Sequence, residues 1–483
     1  MEKQSNILSI KAGLEIHQQL DTNKLFCNCP SYLRSDTPNF TIKRNLHKVA
    51  GETGEVDIAA EYEAQKNKDF YYQGYDDTTC LIETDDSPPN LINEKALDEA
   101  LKIALLLNCE IYPVTQIMRK IVIDGSNTSG FQRTLLLAHH GYLETSFGKV
   151  GIDTLALEED AARIIEKQDN KVTYRLDRLG IPLIEIATAP DLHSPEQIKE
   201  AALKIGEILR ACKVKRGIGT IRQDVNISTK GHDRVEIKGF QDPKLMIKTV
   251  EQEIKRQQAD LENNKTKGEV RNALDSGETE FLRPLPGRAR MYPETDLPLL
   301  KIGREKINQL KKQLPKLKTE IRAEIKKKGL TDELINLVLE SPENLEEFET
   351  LLKLAPKQAP LIAKIVTLWR NEIASKLKTP IEKIHSILTE AILEKILHEL
   401  IKGKIQERDI KDIMLNLAQG KSLEQSIKSE KLSQDALEHE LAQLIKEKPG
   451  LSPNAYMGIL IGKHKGKIDA KSAMQIISKL LNK

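Results

Sequence analysis

An α+β fold is predicted: a mixed-sheet domain over residues 1–302, an all-α domain over 303–402 and a small helical tail over 403–483. Three observations carry this. Up to about residue 300, short β-branched, alternating runs mix with helical stretches under dense Gly and Pro punctuation. Beyond residue 303 no strand pattern of any length occurs, and Lys, Glu, Leu and Ile recur at helical spacing. Lys402-Gly403-Lys404 then interrupts the helical pattern.

Helix starts are marked by side chains able to satisfy free amides. Ser194-Pro195-Glu196-Gln197 supplies a capping Ser, a first-position Pro and a third-position Gln, and opens a helix running to about Ala211. Ser341-Pro342-Glu343 and Ser452-Pro453 open two more, and Thr379-Pro380-Ile381-Glu382 reads as a capping box with Pro at the first position. Leu8–His17, Ile181–Ala187, Ile221–Ile227 and Arg234–Lys238 read as strands.

Composition bounds the class. With 39% apolar residues in 483, the chain is long enough for about three domains with buried cores. Met1–Gly13 has no basic segment followed by an apolar one, and no run approaches the ~18 apolar residues of a membrane span. A soluble, cytoplasmic protein with no membrane partner is expected. Five cysteines (Cys27, Cys29, Cys80, Cys109, Cys212) lack the spacing of a secreted disulfide framework and are expected to be reduced. The net charge of +2 conceals a split, with −7 on residues 1–300 and +9 on 301–483. A basic half suits contact with a polyanion; the alternative is a Lys-rich solvated helical surface. There is no GxxxxGK[ST] loop, no GxGxxG after a strand and no GxSxG elbow, so any ATP is held by another architecture.

Ionisable residues inside strands point to the chemistry, because a period of two puts alternate residues on one face. Glu15 and His17 share one face of their strand, Leu14 and Ile16 the other. Glu185 lies inside the nearly continuous apolar strand Ile181–Ala187. Arg222, Asp224 and Asn226 align on a third strand, and Arg234, Glu236 and Lys238 on a fourth. The run Leu155-Ala156-Leu157 ends in Glu158-Glu159-Asp160. The simplest assembly is a sheet with one face in the core and the other lining a polar cleft. Buried carboxylates cost several kcal/mol each unless a cation or donors satisfy them. Glu15, Glu158 or Glu159, and Glu185 offer hard oxygen ligands suited to magnesium, with His17 as a further or supporting group. The alternative is a set of ion pairs with Arg175, Arg178, Arg222 and Lys238.

These residues sit in motifs that resemble the B/E family of tRNA-dependent amidotransferase subunits: Gly13–Leu20 (GLEIHQQL), Phe26–Pro30 (FCNCP), Leu157–Ala161 (LEEDA) and Pro182–Ile186 (PLIEI). Met118–Thr134 (MRKIVIDGSNTSGFQRT), Gly219–Ser228 (GTIRQDVNIS) and Arg290–Pro298 (RMYPETDLP) resemble the archaeal E type rather than the bacterial B type. The resemblance covers most of residues 8–300 and, more loosely, the helical remainder.

The resemblance implies a cradle-shaped kinase and transamidase domain, a helical domain and a tRNA-binding helical tail. It implies ATP-dependent phosphorylation of the Glu on misacylated Glu-tRNA(Gln). Amidation then gives Gln-tRNA(Gln), with ammonia released from glutamine by an asparaginase-like D subunit in a hetero-oligomer. Glu15, Glu159 and Glu185 would hold magnesium, with His17 and Glu158 completing or orienting the site. Arg222 and Lys238, chosen by strand face alone, are candidate phosphate contacts. Ser126 and Ser129 lie in Gly125–Gly130, which would offer amides to phosphate or to the aminoacyl end, or else serve as a polar turn. Within 451–483, Lys463, Lys465, Lys467, Lys471, Lys479 and Lys483 face the single acid Asp469, and Ala470, Ala473, Met474 and Ile477 recur at helical spacing. Lys463, Lys465, Lys467 and Lys471 are the candidate tRNA contacts.

Two departures stand out. The inserted domain usual in the E type, similar to one in bacterial aspartyl-tRNA synthetases, has only Asp260–Glu280 in its place. The CxxC that completes a zinc site in bacterial B-type proteins is missing from Asn45–Gly51, and two thiolates do not close a four-cysteine site, so no structural zinc is expected. Two rival functions remain. A stand-alone ATP-dependent ligase for a small carboxylic acid would not need the basic tail, and a noncatalytic tRNA-binding scaffold would not need Glu185 inside an apolar strand.

Overall fold

The computed structural model describes residues 10–46, 50, 54–56, 58–66, 68–240, 243–285, 291–427, 434–463 and 470–481. They fall into two compact units, Met1–Leu317 and Lys318–Lys483. The α+β class read from the sequence is the one observed.

An eleven-stranded sheet organises the first unit. Ile10–Gln19 runs through its middle, antiparallel to Pro182–Thr188 on one side and to Ile221–Thr229 on the other. Beyond Pro182–Thr188 follow Gly148–Glu159, Phe131–Thr145, Ile117–Ile121 and Met291–Pro293, with Glu110–Ile111 branching off Phe131–Thr145. Beyond Ile221–Thr229 follow Val235–Phe240, Glu269–Ala273 and Thr279–Pro284, the first two of these pairing in parallel. Alternation sends Leu14, Ile16, Ile184, Ile186, Val225, Ile227, Val235 and Ile237 to one face, where all are buried. Helices Glu94–Leu106, Pro195–Ala211 and Pro243–Glu262 pack on that face. Each such side chain contributes ~1.5–3 kcal/mol of apolar burial, enough to fix the register that aims the polar residues the other way.

A second sheet, in the order Phe40–Arg44, Asp69–Gly74, Lys171–Arg175, Arg163–Lys167, holds the glycine-rich loop in place. Tyr72 Oη donates to the Gly125 carbonyl and Tyr174 Oη to the Asp124 carbonyl, both at 2.8 Å. Gly125 has φ +91°, and a Cβ there would lie 2.2 Å from Phe70 Cδ1, so a side chain is excluded on both counts.

The caps behave as their chemistry demands. Ser194 Oγ accepts from the Gln197 amide and Ser341 Oγ from the Asn344 amide, opening Pro195–Ala211 and Pro342–Leu354. Pro453–Lys463 opens with Ser452 Oγ accepting from the Ala455 amide. The capping box at Thr379 does not form: its Oγ1 donates to the Leu377 carbonyl, and the helix Ile381–Ile387 starts after Pro380, whose ψ of 142° is extended. From Arg304 on, every described element is helical.

Leu310, on the helix Arg304–Lys312, belongs to the core of the first unit, which runs on to Leu317, past the boundary drawn at residue 302. In the second unit one core extends from Ile325 to Leu417, through the break at Gly403. That glycine, at φ +73°, turns one helix into the next inside a single core. A smaller core joins Leu437 and Leu441, Tyr456 and Leu460, and Ala473 and Ile477 of the last helix, the stripe read from the sequence.

Arg370 is 2% exposed in the larger helical core, donating to Glu347 at 2.7 Å and to the Leu388 carbonyl. Arg370→Ala would leave a half-buried carboxylate and a carbonyl unpaired, at a cost of about 3 kcal/mol. Urea unfolding followed by the fluorescence of Trp369, the single tryptophan, reads this unit. A midpoint equal to the wild type's would show that the pair contributes nothing.

Candidate active site

The polar face of the large sheet lines a cavity of about 520 Å³. Register explains its composition. His17 sits opposite Glu185 on one neighbouring strand and Arg222 on the other, Glu15 lies opposite Asp224, and Leu183, two residues before Glu185, lies opposite Glu158. Ion-pair geometry links them: His17 Nε2 is 3.3 Å from Glu185 and 3.5 Å from Glu15. Ligand atoms of Glu15, His17 and Asp224 lie within 4.8 Å of one another, as do those of His17, Glu158 and Glu185.

Lys120, from the strand Ile117–Ile121, reaches the same cluster. Its ammonium pairs with Glu158 and lies 3.5 Å from Glu185. Glu158 also accepts from Gln132 at 2.8 Å and Thr134 at 3.0 Å. The electrostatics divide the carboxylates. Burial works against the charge on Glu185, but Lys120 and His17 outweigh it and hold its carboxyl well below the usual range. Burial, then the charge of Glu185, pushes Glu15 up to about 7. His17 is raised because hydrogen bonding to Glu185 and the surrounding carboxylates overcome the opposing effect of burial. Glu15 is thus a carboxylate whose ionised form lacks sufficient cation. On the same strand face, Asn226 Oδ1 is buried without a partner. An added hard cation would satisfy Glu15, so the carboxylates present fit magnesium.

Glu158, not Glu159, belongs to this cluster, which corrects the magnesium set drawn from the sequence. Glu159 has the parity of Leu155 and Leu157, whose side chains are in the helix-covered core, and it turns away from the cleft to Arg133, 3.3 Å away. Arg133 in turn donates to Glu294 at 2.9 Å. Arg222 and Lys238 do line the cleft, but both are engaged: Arg222 donates to Asp160 at 2.7 Å, and Lys238 to Asp224 at 2.7 Å while pairing with Glu236. Arg175 is remote from the cluster and donates to Gln73. Ser129 lines a small separate pocket with Lys24, Glu83 and Glu159, its Oγ donating to the Phe131 carbonyl at 3.0 Å. Ser126 sits in a turn capped by Asp124, whose carboxylate accepts from the Ser126 amide at 2.9 Å. Neither serine is among the residues lining the large cavity.

Lys120 and Gln132 were not selected from the sequence, and Asp224 was placed on the polar face without a role. A lysine between Arg119 and Ile121 in a short strand, on the face opposite the buried Ile117 and Ile121, was the available signal for the first. Of the tail lysines, Lys463 is exposed and 2.9 Å from Glu440. Lys465 and Lys467 lie outside the described residues, as does the side chain of Lys471.

Carboxylates interleaved with His17, Lys120, Arg222 and Lys238 line the open face of a helix-backed sheet, an arrangement suited to an enzyme site, and residues 10–308 match the model of the GatB/GatE catalytic domain. The chain belongs to the GatB/GatE family. It is similar over its full length to the E subunit of the glutamyl-tRNA(Gln) amidotransferase of Methanocaldococcus jannaschii, at 37% identity with 100% of each chain covered. The E subunit from Pyrobaculum islandicum is 31% identical, with 98% of this chain and 99% of that one covered. The first alignment runs over 633 positions against a chain of 483 residues, so at least 150 positions face no residue here. That shortfall is the size of a domain.

Proposed function

We propose that this chain is the component of a glutamyl-tRNA(Gln) amidotransferase that phosphorylates the Glu carried by misacylated tRNA(Gln) and then amidates it, in a hetero-oligomer with an asparaginase-like, ammonia-releasing D subunit. The observation that carries this reading is the cluster of Glu15, His17, Glu158 and Glu185 at the wall of a cavity of about 520 Å³.

A carboxylate is a poor electrophile, so amide formation needs its oxygen converted to a leaving group. The γ-phosphoryl of ATP passes to the Glu side-chain oxygen, releasing ADP. Ammonia attacks the acyl carbon, the carbon–oxygen bond breaks, phosphate departs and the nitrogen loses a proton. Bound magnesium would supply charge neutralisation on the phosphate oxygens. Glu15, Glu158 and Glu185 would hold it, with Asp224 and His17 beside them. Lys120 favours the ionised form of Glu185, opposes the burial that raises Glu158, and places a positive charge at the same wall of the cavity, where developing phosphate charge is stabilised.

The decisive experiment is ATP hydrolysis by the purified chain with and without Glu-tRNA(Gln). Hydrolysis that depends on the charged tRNA is expected, with Gln-tRNA formed from ammonium salt but not from glutamine alone. Tail binding has its own test. Truncation after Gly450 would strip Leu437 and Leu441 of their core partners, so substitution of Lys463, Lys465, Lys467 and Lys471 by Ala is the cleaner change. Each lost phosphate contact should flatten the log–log salt dependence of tRNA binding by about 0.7–0.9, leaving ATP affinity unchanged. An unaltered salt slope would make these lysines an ordinary solvated surface.

A further inference from the structure

The expectation that Cys27 and Cys29 stand alone is corrected by the fold. Cys80 and Glu83 come from a turn some fifty residues further on, yet ligand atoms of Cys27, Cys29, Cys80 and Glu83 all lie within 4.8 Å of one another. Cys27 Sγ is 2.9 Å from Glu83 Oε1, and the Cys80 amide donates to Glu83 Oε2 at 2.8 Å. Cys27 and Glu83 are buried, while Cys29 and Cys80 are partly so, and none of the five cysteines is in a disulfide. We propose that Cys27, Cys29, Cys80 and Glu83 bind one structural zinc ion.

The chemistry suits this metal. Zinc takes four ligands from thiolate sulfur, imidazole or carboxylate oxygen, at ~2.3 Å for sulfur and ~2.0–2.2 Å for oxygen, which gives ligand–ligand edges a little under ~4 Å. The four side chains need adjust by only about 1 Å to meet that tetrahedron, the widest pairs closing and Cys27 and Glu83 parting slightly. A hard cation such as magnesium would not select three sulfurs. Three thiolates and a carboxylate exceed the charge of the ion, and the fully buried Lys24, 2.9 Å from Glu83 Oε1, offsets part of the excess. Lys24 is itself fixed by the carbonyls of Thr78 and Leu176 at 2.7 and 3.1 Å, an anchored second layer of the kind metal sites use.

The ligand set differs from the paired CxC and CxxC of bacterial relatives, because Cys80 and Glu83 stand in for the absent CxxC. The ion would tie the loop that follows the central strand to the turn at 80–83. Thr128 Oγ1 donates to the Glu83 carbonyl at 2.6 Å, so the clamp extends to the glycine-rich loop. This assignment is independent of the catalytic reading, since the cluster lies outside the large cavity.

Metal analysis tests it on the full chain, expressed with zinc in the medium and purified without chelator. About one zinc per chain is expected, and none in Cys80→Ser, while Cys109→Ser, in the sheet core, keeps it. After the metal is stripped, cobalt should produce the intense thiolate charge-transfer band and tetrahedral visible bands of a three-sulfur site. Glu83→Gln should keep the charge-transfer band with affinity about 10–100-fold weaker. Should Cys80→Ser fail to fold, the cobalt spectrum of the wild type still decides. A metal-free wild type with no cobalt bands overturns the assignment, as does zinc retained undiminished in a folded Cys80→Ser. Two of the three thiols found as a disulfide in freshly purified protein also overturn it.

Discussion

Glu185→Gln is expected to lower kcat for Gln-tRNA formation by about 100–1000-fold, the loss typical of removing one electrostatic group at a reacting centre. The substitution keeps the shape of the side chain and removes its charge. Glu185 lies on a strand flanked by the central strand and Gly148–Glu159, with burial opposing its ionisation and Lys120 and His17 enforcing it. A neutral amide cannot balance the charge of Lys120 and holds a divalent cation more weakly than a carboxylate, whereas the core side of its strand, Ile184 and Ile186, is untouched. Affinity for Glu-tRNA should therefore stay within about twofold, because RNA affinity rests on basic phosphate contacts. Single-turnover phosphorylation at saturating magnesium checks the first part and filter binding the second. Normal product formation would remove Glu185 from the site. Lys120→Met should act in the same direction, since it leaves Glu158 and Glu185 facing each other without their shared cation.

Glu15→Gln is expected to make the metal-free chain more stable by about 1–3 kcal/mol at about pH 8 while lowering activity at least ~100-fold. The carboxyl of Glu15 is pushed from 4.5 up to about 7 by burial and by Glu185. Such a shift corresponds to about 3 kcal/mol at full ionisation, and a side chain 26% exposed next to other titrating groups delivers less. The sign follows from proton binding. The folded chain holds this proton more tightly than the unfolded one, so the destabilisation is fully present above pH 7 and disappears as pH falls through 4.5. The glutamine variant should consequently gain melting temperature at about pH 8 and none near pH 4.5. Identical unfolding curves for the two proteins at about pH 8 would show that Glu15 carries no uncompensated charge. The strain this variant relieves is what a bound cation would otherwise relieve, so stability and activity should move in opposite directions.

Local rules carried much of the fold into view. Ser194 and Ser341 cap the helices that their neighbouring prolines announce, because an amide satisfied by a hydroxyl three residues away is a strictly local event. Thr379 broke the pattern because its hydroxyl found the Leu377 carbonyl, a partner presented by the end of the preceding helix. Strand parity likewise placed Glu15 with His17 and Asp224 with Arg222 before any pairing was known. The same parity, applied to Leu155 and Leu157, would have separated Glu158 from Glu159, and three consecutive carboxylates obscured it.

The sequence by itself determined which faces are polar, since a two-residue period needs no knowledge of neighbours. Only the tertiary structure decided which polar groups meet. Lys120 reaches Glu158 and Glu185 because two strands intervene between its own and that of Glu185 at one particular register. Arg222 and Lys238 are held by Asp160, Asp224 and Glu236 for the same reason. Cys80 joins Cys27 and Cys29 across more than fifty residues through the packing of two loops. Contacts of that range depend on strand order and loop packing, which hydrophobic burial of the whole domain fixes and no local pattern encodes.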